Sequence, residues 1–281
     1  MTGEEVAAAG QLACLLEVSA PKPGNVSPGR HFHDTRYEDF LASAVAIGPA
    51  LAAAGEQPLG VTIRAAVEAT ARWAGINTNL GIVLLLAPLA RAARRTGGSL
   101  RDRVAQVLAE TTVADAAEAY AAIRLARPGG LGHAAAEDVE AAPTVTLTEA
   151  MALAASRDSV AREYLTGFAL TFETGAPALR QARCESLPWT DAAVETFLAL
   201  LAAAPDTHIA RKLGPAEAER ISSRAREVRG AGGTRTPGGR AALASLDAEL
   251  RDARNTRNPG TTADLTCAAL FAVILEDGWN R

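Results

Sequence analysis

The chain has 281 residues, 48% hydrophobic and only 4% aromatic, which is enough apolar material for a sizeable core and too much for a disordered protein. A formal charge of −4, with 28 Lys and Arg mixed among 32 Asp and Glu, excludes the basic face that nucleic-acid binding needs, so anionic partners should be small. No run approaches the roughly eighteen apolar residues of a membrane span, and Cys14, Cys184 and Cys267 are too scattered for a disulfide frame or zinc site.

The opening Met-Thr-Gly-Glu-Glu carries acid where a signal peptide carries base, so a cytoplasmic protein with reduced thiols is expected. Alanine is abundant, and its helix propensity favours an all-α fold before periodicity is counted. Glu4 to Val18 sets Val6, Leu12, Leu15, Leu16 and Val18 largely on one face and stops ahead of Pro21. Pro21 to Gly29 is loop. Thr35-Arg36-Tyr37-Glu38 reads as a capping box that starts a helix through Phe40, Leu41, Val45 and Ile47. Pro58 opens a third helix, which ends at Gly75.

The polar turn Gly75-Ile76-Asn77-Thr78-Asn79-Leu80-Gly81 then runs straight into the apolar block Ile82 to Leu89. A helix that is apolar all round belongs in the interior, so helix 79–90 should be central and nearly fully buried, with a kink at Pro88. Thr78 and Asn79 are N-cap types, and either capping or anion binding at the helix N-terminus explains the turn.

Ser99 to Leu108 and Thr112 to Ala126 are amphipathic, and Arg127 to His133 breaks the pattern. The strand-like alternation Val145 to Thr148 is short and overlaps a second capping box, Thr146 to Glu149, so helix is expected there. Asp158 caps a helix through Val160, Tyr164, Phe168 and Phe172, and Thr190 to Ala204 forms another. Pro205 to Pro215 interrupts, followed by a charged helix to Arg229 and an exposed loop over Gly230 to Gly239. The last helices cover Ala241 to Arg254 and, after Asn258-Pro259-Gly260-Thr261-Thr262, a run through Leu265, Leu270, Val273 and Leu275. With no repeat and no long polar linker, the expectation is one all-α bundle over residues 1–281.

Five polar segments rich in Gly and Pro recur at helix starts: 21–34, 75–81, 128–138, 206–214 and 258–264. Such loops suit a shared pocket, where helix N-termini hold phosphate and carboxylates hold a metal. Each carboxylate also has a bland reading. Asp34 and Asp206 can serve as caps, Asp264 sits where a charge complements the helix dipole, and Glu137 and Asp138 can be solvated charge. His31, His33 and Asp34 form a His-x-His-Asp pattern with metal-ligand chemistry, whereas His133 and His208 stand alone. No Gly-x-Ser-x-Gly, Walker loop or Gly-x-Gly-x-x-Gly occurs.

Four of these stretches, Pro21-Lys22-Pro23-Gly24-Asn25-Val26, Gly75 to Gly81, Asp206-Thr207-His208-Ile209 with Lys212 and Gly214, and Pro259 to Leu265, resemble in order the motifs of the triphosphoribosyl-dephospho-coenzyme A synthase family. The resemblance implies an all-α transferase that joins ATP to 3′-dephospho-coenzyme A and releases adenine, with Mg2+ on the triphosphate. It implies catalytic roles for Asp34, Asp206 and Asp264, the last two also as metal ligands. Nucleotide binding would fall to Lys22, Pro23, Gly24, Asn25, Asn77, Thr78, Asn79, Gly81, Thr207, Arg211, Lys212, Gly260, Thr261 and Thr262.

This chain departs from the family pattern. Phe32-His33-Asp34 stands for His-Lys-Asp, Asn79-Leu80 for a His-Lys pair, and Leu131-Gly132-His133 for an Arg-Gly-Glu. Lys22 and Lys212 are its only lysines, which suggests compact ammonium groups wanted in the motif loops. Small-molecule nucleotides are the expected partners, with no nucleic acid or membrane, and a homo-oligomer is compatible. The other readings are an N-glycosidic hydrolase dependent on a metal, a ribosyl transferase of another cofactor pathway, and a nucleotide-binding scaffold without chemistry.

Overall fold

The computed structural model describes residues 1–129 and 136–279; the expectations for Leu131, Gly132 and His133 lie outside them. In chain order the helices are α1 (Gly3–Ser19), α2 (Tyr37–Ala46), α3 (Gly48–Ala52), α4 (Leu59–Ala74), α5 (Leu80–Ala93), α6 (Leu100–Ala109), α7 (Val113–Ala126) and α8 (Leu147–Ala154). They continue as α9 (Ser159–Thr166), α10 (Ala176–Cys184), α11 (Trp189–Ala203), α12 (Thr207–Leu213), α13 (Pro215–Gly230), α14 (Pro237–Leu250) and α15 (Gly260–Asp277). No β-strand forms among the described residues, as the alanine content and the 3.6-residue spacing predict.

Local chemistry fixes most helix starts. Thr2, Ser99, Thr112 and Thr146 each cap a helix through the side-chain oxygen and donate their own N–H to the acid three residues on. The short Val145 to Thr148 alternation is therefore a helix entry. The expected box at Thr35 is displaced by one residue, because Asp39 accepts from Arg36 N at 2.7 Å while Thr35 turns its hydroxyl to Asp34. Gly75 closes α4 in the left-handed region at φ 67°, where a side chain would be strained.

The apolar block becomes α5, with Leu85, Leu86, Ala87 and Leu89 fully buried. Its companion is α15, whose stretch from Cys267 to Ala272 is sealed from solvent. Against α15 lies α1 in antiparallel register. A Cβ on Gly10 would touch the Phe271 ring at 3.6 Å, and Cys14 Sγ lies 3.6 Å from Cys267 Sγ. One turn further along each helix stand Glu17 and Asp264.

Two further expectations fail. The helix from Asp158 does not run through Phe172: it stops at Thr166, because Gly167 and Phe168 adopt positive φ. A π-helical turn, Leu170–Gly175, follows, and buried Glu163 accepts from Leu170 N, Thr171 N and the Thr171 hydroxyl, so the break is capped from inside. Nor is 230–239 all exposed loop, since Gly233 and Thr234 are buried and Thr234 bonds the Glu195 carboxylate.

Candidate active site

Four of the five motif segments meet at one cavity of about 660 Å3, with the described part of the fifth, 128–138, on its wall. Its lining includes Asn25 and Asp34 from the first loop, Asn77, Thr78, Asn79 and Gly81 from the turn before α5, His208, Arg211 and Lys212 from α12, and Gly260, Thr261 and Asp264 from α15. Convergence of helix starts is what a site for an anionic ligand requires.

Asp264 is the exceptional group. Its carboxylate lies so close to Gly81 that a Cβ there would collide with it, so the glycine is needed at the start of α5. No hydrogen bond or ion pair holds Asp264 among the described residues. Burial, then the negative charges of Glu17, Asp206 and Asp158, push its pKa well above the usual carboxylate value, against the pull of Arg211.

The polar groups around it are also underused. Asn25 Nδ2, Asn79 Nδ2, His208 Nε2 and Asn258 Oδ1 are buried without a partner among the described residues, and all four residues line the cavity. Unsatisfied buried polar atoms are rare in folded proteins, and four around one cavity point to a ligand that completes them. Asn79 is spared because Asn77 Oδ1 takes Leu80 N at 3.1 Å and Thr78 bonds Ser43. His208 is held neutral, its pKa lowered to about 3 by burial and by Lys212 and Arg211.

Cationic charge comes from Arg127, Arg157, Arg211, Lys212 and Arg254. Arg211 is tied to Asp158 at 2.5 Å. Lys212 makes no ion pair among the described residues, and burial followed by Arg211 lowers its pKa. Sequence reasoning overlooked Arg127, Arg157 and Arg254, as well as Glu17 and Asn258. Arg254 and Asn258 flank a motif, but nothing set the three arginines apart in so arginine-rich a chain.

Several expected site residues lie elsewhere. Lys22 is not in the lining: its ammonium is buried, pairs with Glu17 at 2.9 Å and donates to the Glu17 and Ala20 carbonyls. A direct contact with polyphosphate is thus replaced by a buried ion pair beneath the cavity. Pro23 and Gly24 serve the same loop, with Gly24 N bound to Asp247 at 2.8 Å. Thr207 and Thr262 are also behind the wall, Thr207 donating to Thr261 at 3.2 Å.

Asp206 too is out of the cavity. One oxygen accepts from His208 N and Ile209 N at 2.9 and 3.0 Å, the other from Thr262 N and the Thr262 hydroxyl, both at 2.7 Å. Every lone-pair direction that faces a donor is taken, so the expected metal-ligand and catalytic roles of Asp206 give way to a clamp between α12 and α15. Asp34 lies at the rim, 62% exposed at its side chain, with His33 Nε2 at 3.6 Å. His31 accepts from Tyr37 N instead of joining it. No three His, Cys, Asp or Glu groups among the described residues converge as a metal site, so the donor set does not make a resident metal centre of its own.

Residues 3–281 match the family described as CitG, ATP:dephospho-CoA triphosphoribosyl transferase, which makes this an all-α transferase. The chain belongs to that family. It is 29% identical over 280 residues to the 2-(5''-triphosphoribosyl)-3'-dephosphocoenzyme-A synthase of Klebsiella pneumoniae, over 92% of this chain and 90% of the relative. A crystal structure from Archaeoglobus fulgidus, assigned as a triphosphoribosyl-dephospho-CoA synthase, superposes with a TM-score of 0.66 at 28% identity, over 85% of this chain and all of the other. No described helix is long and apolar enough to cross a membrane.

Proposed function

We propose that the protein transfers the triphosphoribosyl group of ATP to a ribose hydroxyl of 3′-dephospho-coenzyme A or a closely related cofactor precursor. The acceptor oxygen bonds to C1′ of the ATP ribose as the bond from C1′ to adenine N9 breaks. The electron pair of that bond leaves with adenine, and the hydroxyl proton ends on the base. Charge at C1′ passes through an oxocarbenium-like state, which a carboxylate stabilises. The observation that carries this reading is Asp264, a carboxyl group without a hydrogen bond among the described residues, set against Gly81 in a cavity with five cationic side chains.

Arg127, Arg157, Arg211, Lys212 and Arg254 offer the positive charge that a triphosphate needs, in place of the lysine missing from position 80. Because no cluster of three metal donors converges among the described residues, a magnesium ion enters here as part of the nucleotide substrate. Release of adenine from ATP, with and without 3′-dephospho-coenzyme A, tests the reaction. Release that depends on the acceptor is expected. Release with water alone means a hydrolase, and ATP binding without release means a scaffold.

Two substitutions probe this reading. Lys212→Met keeps most of the stem and should weaken ATP binding by about 1–3 kcal/mol in calorimetry; unchanged affinity would take Lys212 off the phosphates. Gly81→Ala should displace the Asp264 carboxylate, cutting adenine release about 10- to 100-fold at a stability cost of about 1 kcal/mol. Full activity in that variant would separate Asp264 from the chemistry.

A further inference from the structure

Glu17 was not singled out by any motif, yet it lines the cavity while only 4% exposed. The register of α1 on α15 explains its place. Gly10 meets Phe271 and Cys14 meets Cys267, so the antiparallel pairing advances to Glu17 opposite Asp264 at the cavity end of the two helices. One oxygen of Glu17 faces the Lys22 ammonium, and the other has no hydrogen bond among the described residues.

We propose that Glu17 is a second catalytic carboxylate, paired across the α1–α15 interface with Asp264, and that Lys22 is the residue that positions it. The proposal rests on the reaction described above. Two carboxylates in one site with different surroundings divide into a base and an acid. Glu17, which faces the Lys22 ammonium, is the base; Asp264, without a cationic partner in contact among the described residues and crowded by anions, is the acid.

The proton count then closes. Glu17 takes the proton of the acceptor hydroxyl as its oxygen bonds to C1′, and Asp264 gives its proton to the departing adenine. The two residues end with their protons exchanged, and transfer from Glu17 to the facing Asp264 restores the starting state. No oxidant, reductant or further reactant is needed.

The test compares wild type, Glu17→Gln, Asp264→Asn and the double variant Glu17→Gln with Lys22→Met. Two donors are used with 3′-dephospho-coenzyme A: ATP and 6-chloropurine riboside 5′-triphosphate, whose base leaves with less need of a proton. Glu17→Gln should slow both donors equally, by at least ~100-fold. Asp264→Asn should slow ATP by a similar factor, with at least ~10 of it recovered on the chloropurine donor. The double variant replaces the buried ion pair as a unit, so it should melt with wild type and stay slow on both donors, which a merely structural Glu17 would not do.

Glu17→Gln within about tenfold of wild type would overturn the assignment. So would a double variant that regains activity, or equal defects of Asp264→Asn on the two donors. If wild type releases base from neither donor, the proposed reaction fails and takes this inference with it; normal wild-type turnover beside an active Glu17→Gln overturns the inference alone.

Discussion

Asp264→Asn is expected to lose at least ~100-fold, and up to about 10,000-fold, of adenine release while making the unliganded protein more stable. Asparagine matches the shape that Gly81 makes room for, so the backbone need not move. What changes is charge. Burial and the anions of Glu17, Asp206 and Asp158 raise the Asp264 pKa, so the folded chain keeps a proton there at a pH where the unfolded chain has released it. Stability from this group is therefore greatest below the ordinary value of 3.8 and is lost as pH rises from there towards the raised folded value. Asparagine does not titrate. Urea unfolding of both proteins should show a gap that widens from pH 4 to pH 7 and reaches about 0.5–2 kcal/mol in favour of the variant. A variant equal to or weaker than wild type at pH 7 would mean that Asp264 is not held at a cost to the fold.

That tension between stability and chemistry also marks how far the site can be seen in the sequence. The loops were legible, since Gly and Pro interrupt apolar periodicity wherever a helix must start, and four such starts share one cavity with part of a fifth. Which atoms reach the cavity was not. Lys22 looks like a phosphate ligand in its loop, but its partner Glu17 lies five residues back on a helix that reads only as an apolar face. Asp206 and Asp264 look alike in sequence, and the difference is that Thr262 supplies two donors to the first while none reaches the second.

The fold shows the same division. The capping box at Thr146 and the all-apolar α5 were readable from residues close in sequence, although the box expected at Thr35 forms one residue on. The break after Thr166 was not, because its apolar spacing continues and the cause is Glu163 turning inward to bond Leu170 and Thr171. Buried Thr234 likewise depends on Glu195, 39 residues away in sequence. Long-range polar pairs leave no period to detect.

The second large effect is expected for Asp206→Asn, and it falls on stability first. Each oxygen of Asp206 accepts from two donors, one pair on its own helix α12 and one on Thr262 of α15. Asparagine can satisfy only one pair with its carbonyl oxygen, so its NH2 group must face N–H donors of the other. Hydrogen bonds to a charged group are worth about 1.5–3 kcal/mol each, and breaking a buried charged network costs about 3–5 kcal/mol. The clamp sets α12, with His208, Arg211 and Lys212, against the α15 start that carries Asp264. Losing it should lower the urea midpoint, for a drop of about 3–5 kcal/mol, and reduce adenine release through displaced groups. Added magnesium should not restore activity, because both Asp206 oxygens are spent on N–H and O–H donors. If Asp206→Asn instead kept wild-type stability within about 1 kcal/mol while its magnesium requirement rose, Asp206 would be a metal ligand after all, and the clamp would have to be abandoned.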